Sequence, residues 1–178
     1  MSSANVSIIV TCQEQESQLR QLLPQLLSLQ CEGEYEVIVV DEQGDKDLAE
    51  WLEEMEVRYP YLYHTFCPTT VRGIDIHKLA LTLGAKAANN EWLVILSAAA
   101  QLPGDDWLSS LTTCRDDQTD IVIGVTGRKH RLNWLSSLIL RHRFSLFRPS
   151  SSVILCRRSI LLQADPHIVN SRIICHSL

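Results

Sequence analysis

The sequence predicts an α/β fold, a mostly parallel sheet with helices on both faces, built as a single domain over residues 1–178. Three observations predict it. Short β-branched runs without polar alternation mark strands covered on both faces, and they alternate with leucine-rich segments of helical period. The opening elements read strand, helix, strand, helix, an order that favours parallel pairing through right-handed crossovers. At 178 residues, 46% of them hydrophobic, the chain can bury one sizeable core. No internal repeat, low-complexity segment or linker divides it.

The first strand is Val6 to Thr11. Between Glu14 and Gln30, leucines at 19, 22, 23, 26 and 27 recur at the spacing of one helix face, with Pro24 an interior irregularity able to kink the helix. Glu36 to Asp41 repeats the buried-strand pattern. Asp47 to Arg58 repeats the amphipathic helix through Leu48, Trp51, Leu52 and Met55. Tyr61 to Phe66 predicts a third strand, Ile76 to Asn89 an Ala/Leu-rich helix, and Glu91 to Ser97 a fourth strand. Pro103, Gly104, Asp105 and Asp106 then open a helix through Trp107, Leu108 and Leu111, with the acids at its positive dipole end. Asp120 to Val125 and Ser152 to Cys156 predict further strands around a helix near Leu132 to Arg143.

Composition narrows the setting. The six cysteines (Cys12, Cys31, Cys67, Cys114, Cys156, Cys175) show no Cys-x-x-Cys spacing, so neither a zinc site nor a disulfide framework is expected. Met1 to Val10 lacks a basic region, and no stretch reaches the ~18 apolar residues of a membrane span. A reduced, cytoplasmic chain is the expectation. The net charge of −5 hides an asymmetry: residues 1–127 hold 20 acids and 7 Lys/Arg, whereas residues 128–178 hold one acid and 9 Lys/Arg. Glu32 to Glu56 supplies eleven carboxylates against Lys46, and the simplest expectation for them is a solvated loop and helix face.

Several segments together resemble a glycosyltransferase of family 2, of the GT-A type. They are Val6-Ser-Ile-Ile-Val-Thr-Cys-Gln-Glu-Gln-Glu16, Glu36-Val-Ile-Val-Val-Asp-Glu42, His77-Lys-Leu-Ala-Leu-Thr-Leu-Gly-Ala-Lys-Ala-Ala88, Glu91-Trp-Leu-Val-Ile-Leu96, and Pro103 to Trp107-Leu108. Their order and spacing cover about residues 5–112. The resemblance implies a GT-A-like (Rossmann-like) fold whose nucleotide-binding half is residues 5–112; the charge count sets apart a basic C-terminal part, 128–178. The resemblance also implies that the ends of strands one and two cup a nucleotide base, consistent with ligands at the carboxyl ends of parallel strands. Thr11, Asp41 and Glu42 stand there. A carboxylate at that place can accept a base imide or a ribose hydroxyl, or it can simply cap the following helix. Lys78 matches the lysine of a Lys-x-x-Ala-Leu-x-x-Gly-type stretch, where its ammonium would reach a donor phosphate or else stay in solvent. The chain departs from the family at Gln13-Glu14-Gln15, where Asn-Glu is usual, and at Gln43-Gly44, where Gly-Ser is usual.

The resemblance breaks most sharply at Ala98-Ala99-Ala100, where similar chains carry Asp-Ala-Asp. Those aspartates hold magnesium or manganese, which neutralises the departing diphosphate. Methyl groups at Ala98 and Ala100 cannot ligate a cation, so no cofactor is expected here, and Asp105 and Asp106 read as a helix cap. An acid is also implied downstream as the general base for the acceptor hydroxyl. The last 51 residues hold only Asp165, before a proline, a placement typical of a turn. No Gln-x-x-Arg-Trp motif is present.

The segment 128–148 interleaves six Lys/Arg with Trp134, Phe144, Phe147 and aliphatic residues. Either it docks on an anionic membrane surface at the inner face, or its apolar residues are core and its arginines pair with the acidic first part. Nucleic acid is not an expected partner of an acidic chain without a binding motif. The reading is a family 2-like domain that keeps a nucleotide or nucleotide-sugar site and is catalytically impaired. The alternatives are a metal-independent transferase using Lys78, the basic segment and Asp165, and an interaction module that kept only the fold.

Overall fold

A computed structural model describes residues 5–30, 33–68, 75–102, 104, 106–115, 119–125, 152–162 and 173–177. The elements are β1 (Val6–Cys12), α1 (Glu16–Leu27), β2 (Tyr35–Asp41), α2 (Lys46–Arg58), β3 (Leu62–Phe66), α3 (Ile76–Ala87), β4 (Trp92–Ser97), α4 (Trp107–Thr113), β5 (Ile121–Val125), β6 (Ser152–Arg157), α5 (Arg158–Leu162) and β7 (Ile173–Ser177). The helix expected near 132–143, the basic segment 128–148 and Asp165 lie outside the described residues. The short α5 and the strand β7 were not anticipated.

The strands form one sheet in the order β3-β2-β1-β4-β6-β5-β7. β1 pairs in parallel with β2 and β4, β2 with β3, and β5 with β7, while β6 runs antiparallel to both β4 and β5. The sheet is therefore mostly parallel, as expected, with one reversed strand inside it. All seven residues of β1 are buried, which is why its sequence shows no polar alternation.

Alternate residues of each central strand feed two apolar layers. Ile8 and Val10 of β1 join Leu19, Leu22, Leu23 and Leu26 of α1, Leu48 and Leu52 of α2, and Trp107, Leu108 and Leu111 of α4. Ile9 faces the other way, with Ile38, Ala80, Leu81 and Ala85 of α3, and Ile160 and Leu161 of α5 packed alongside. α1 runs through Pro24 as one helix, with its five leucines buried. Gly84 is present because α3 crosses the sheet closely: a Cβ there would lie 2.7 Å from Ile9 Cγ2. α2 begins at Asp45, whose side chain accepts from the backbone N–H groups of Asp47 and Leu48, the expected satisfaction of orphan helix donors.

The acidic stretch is only partly the solvated face expected of it, because sheet formation recruits three of its acids. Glu36 takes the hydroxyl of Ser7 at 2.5 Å, the backbone N–H of Asn89 at 2.7 Å and the Asn89 side-chain amide at 2.7 Å. That cluster ties together the amino ends of β1, β2 and β4. Asp41 and Glu42 are buried at the opposite end.

Candidate functional site

The site is built where β1, β2 and β4 end together. Beyond the regular pairing, the N–H of Glu42 donates to the Cys12 carbonyl at 2.8 Å, Ala98 to the Thr11 carbonyl at 2.9 Å, and Cys67 to the Asp41 carbonyl at 2.8 Å. These bonds place Thr11, Asp41, Glu42 and Ala98 in one row across neighbouring strand ends. Thr11 and Asp41 are each 4% exposed and Glu42 8%, so polar groups are held at the sheet's edge rather than in bulk water. The row brings together three of the four nucleotide-site residues named from the sequence.

Asp41 shapes the loop that follows it. Its Oδ1 accepts from the N–H of Gln43 at 2.8 Å and its Oδ2 from the N–H of Asp45 at 2.6 Å, and the chain turns between them at Gly44, whose φ of 72° is a glycine conformation. Each oxygen keeps a further lone pair for a ligand. Glu42 instead reaches across to α3, where Nδ1 of His77 lies 2.7 Å from its Oε1. Their side chains are 4% and 16% exposed respectively. Since an ionised carboxylate only accepts, the imidazole carries its proton on Nδ1 in this contact. The two thiols nearby are not nucleophiles: burial pushes Cys12 and Cys67 up to about 11, and the charges of Asp41 and Glu42 push the same way.

Lys78 sits in the first turn of α3 on its exposed side, its N–H turned to the Asp75 carboxylate at 3.3 Å. The side chain joined to the strand-end row is its neighbour His77, which sequence reasoning missed. A signal for it existed. Counting back from Ala80, Leu81 and Gly84, the first position of a Lys-x-x-Ala-Leu-x-x-Gly frame falls on His77.

At the end of β4 the methyl of Ala98 is 1% exposed and belongs to the apolar layer with Leu96, Trp107 and Leu108; Ala100 packs against that layer. A tight turn follows, in which Ala100 N–H donates to the Ser97 carbonyl at 2.9 Å and Ala99 N–H to the Ser97 hydroxyl at 3.3 Å. The methyl groups of Ala98 and Ala100 offer no oxygen that could ligate a magnesium or manganese ion. Among the described residues no three His, Cys, Asp or Glu side chains converge on a point that could hold a metal. Asp165 lies outside the described residues.

Beside Asp41, on the flank of the sheet, a cavity of about 480 Å³ opens between α2 and β3. Ala49, Leu52, Phe66 and Pro68 give it apolar walls, and Asp41, Asp45, Lys46 and His64 supply its polar groups.

The strand order and the helices on both faces of the sheet define a GT-A-like, Rossmann-like domain. Residues 4–163 match the family described as "Glycosyltransferase like family 2", and the chain belongs to that family. No curated protein matches it. Among solved structures, a mannosyltransferase of Pyrobaculum calidifontis in complex with GDP-Man and Mn2+ aligns at TM-score 0.67 and 18% identity, over 97% of this chain and 54% of that one. TarS of S. aureus in complex with UDP-GlcNAc aligns at TM-score 0.61 and 18% identity, over 88% of this chain and 46% of that one. The chain thus spans about half the length of these two structures. A 4-diphosphocytidyl-2C-methyl-D-erythritol synthase of Anaerococcus prevotii aligns at TM-score 0.63 and 11% identity, over 98% and 87% of the two chains. At these identities the likeness concerns the fold, which hosts more than one chemistry.

Proposed function

We propose that this domain is a catalytically impaired relative of nucleotide-sugar glycosyltransferases that retains the nucleotide end of the cleft. One observation carries the reading: at the end of β4, beside Thr11, the side chains of Ala98 and Ala100 are methyl groups packed on the apolar layer. Without carboxylates at these two positions a divalent cation loses the ligands that the resembled family places there, and the diphosphate leaving group loses a stabilisation worth several kcal/mol of barrier. That corresponds to a rate loss of about a thousandfold or more. The base end is different in kind, because Thr11, Asp41 and Glu42 still stand at the strand ends where a nucleotide would be met.

Calorimetry with GDP- and UDP-sugars, with and without manganese, tests this. The expected result is nucleotide binding that manganese leaves unchanged, with no release of nucleoside diphosphate from the donor. A manganese-dependent tightening of tenfold, about 1.4 kcal/mol, would overturn it by showing that other groups have taken over the metal.

A further inference from the structure

We propose that the cavity between α2 and the edge strand β3 is a base pocket, and that its chemistry favours guanine over uracil or adenine. The inference rests on the reading of the strand ends as a nucleotide site, and names the base that the site takes.

The cavity adjoins that site through Asp41, which belongs to both. Its volume of about 480 Å³ falls in the range of small-ligand sites. Phe66 stands in its wall, yet 58% of its surface is exposed. A large aromatic face left in water beside an apolar hollow is a stacking platform without its partner, and base-on-aromatic stacking is a substantial source of affinity. Ala49 and Leu52 of α2 add aliphatic surface to the lining.

The polar groups of the pocket are mainly acceptors held in fixed positions. Asp41 is pinned by two backbone N–H groups, and Asp45 is pinned as the cap of α2. His64 donates Nδ1–H to Glu56 Oε1 at 2.8 Å, and the same oxygen takes the His64 backbone N–H at 2.5 Å. The ring is thereby locked in orientation. Lys46 adds an ammonium to the lining. An acceptor-rich slot asks for a base with several N–H donors on one edge next to a carbonyl. Guanine offers N1–H, the N2 amino group and O6, whereas uracil has a single imide N–H and adenine has no N–H beside a carbonyl. A purine also covers more of Phe66 than a pyrimidine does.

The test is calorimetry without metal, using guanosine, uridine, adenosine and GDP against the wild-type domain, Phe66→Ala and Phe66→Trp. Guanosine should bind about tenfold or more tightly than the other nucleosides, Phe66→Ala should weaken it roughly tenfold, and Phe66→Trp should restore binding with its emission quenched by the stacked base. Unchanged circular dichroism of both variants controls for folding. Binding of nucleosides or GDP without preference for guanine, or without dependence on position 66, overturns this inference and leaves the nucleotide reading standing. Failure of all four ligands to bind overturns the nucleotide reading and this inference with it.

Discussion

Single residues at the strand ends and under α3 carry the sharpest expectations. Ala98 is a core methyl as well as a missing ligand. Ala98→Asp with Ala100→Asp would push a carboxylate into an apolar layer and set a second one near it, both unfavourable without a cation. The double variant should unfold several degrees below wild type, and manganese with a nucleoside diphosphate should recover part of that loss by stabilising the native state. Thermal unfolding with and without both ligands measures this, and a variant that recovers nothing would show a cleft changed beyond two side chains. Gly84→Ala sets a helix-propensity gain of about 1 kcal/mol against a Cβ placed 2.7 Å from Ile9 Cγ2. Overpacking of this kind costs about 1 to 3 kcal/mol, so urea unfolding should show a net loss near 1 kcal/mol. The thiols give a pH dependence of definite sign. Burial raises Cys12 and Cys67 to about 11 and Cys156 to about 12 from 9.0, so above pH 9 the unfolded chain loses these protons first. Stability contributed by the neutral thiols is full below pH 9 and should fall as pH rises toward 11 and 12, which unfolding at pH 8, 9.5 and 11 will register.

At the scale of elements, Asp45→Ala removes both side-chain bonds that cap α2 and should cost about 1 kcal/mol in denaturant unfolding. The individual elements were largely legible in the sequence, because each strand from β1 to β4 and each helix from α1 to α4 buries a face whose period is written in its own residues. Pairing was less legible. Nothing in Ser152 to Cys156 states that this run turns antiparallel against β4, since that choice is made by what remains unpaired when the chain returns. β7 was missed because Ile173 to Ser177 is short and follows no periodic helix. At the site, Thr11, Asp41 and Glu42 could be found by their place at strand ends. His77 was obscured by the charge of Lys78 next to it, and Phe66 was read only as the end of a strand. The segment 128–148 can be decided by flotation with vesicles: capture by anionic but not neutral lipid at low salt, reversed as salt is added, is the outcome of the surface reading.

For the molecule as a whole, the sheet order makes the two parts of the sequence mutually dependent. β6 joins β4 on one side and β5 on the other, so β5 and β7 are connected to the rest of the sheet through residues 152–157. A fragment ending at residue 112, although it holds every strand-end residue of the candidate site, would leave β4 as an unpaired edge of buried, apolar composition. Such a fragment should aggregate or bind 8-anilinonaphthalene sulfonate strongly, whereas the 178-residue chain should not; light scattering and dye fluorescence compare them. The same insertion has a consequence for synthesis. A ribosome makes β1 to β4 first, and the partner strand that seals β4 follows some fifty residues later. At about 5 to 20 residues per second, several seconds pass in which the nascent sheet offers an open hydrophobic border. Translation speed over that interval, and the holdases that meet the emerging chain, are therefore levers on how much of this domain reaches its folded state.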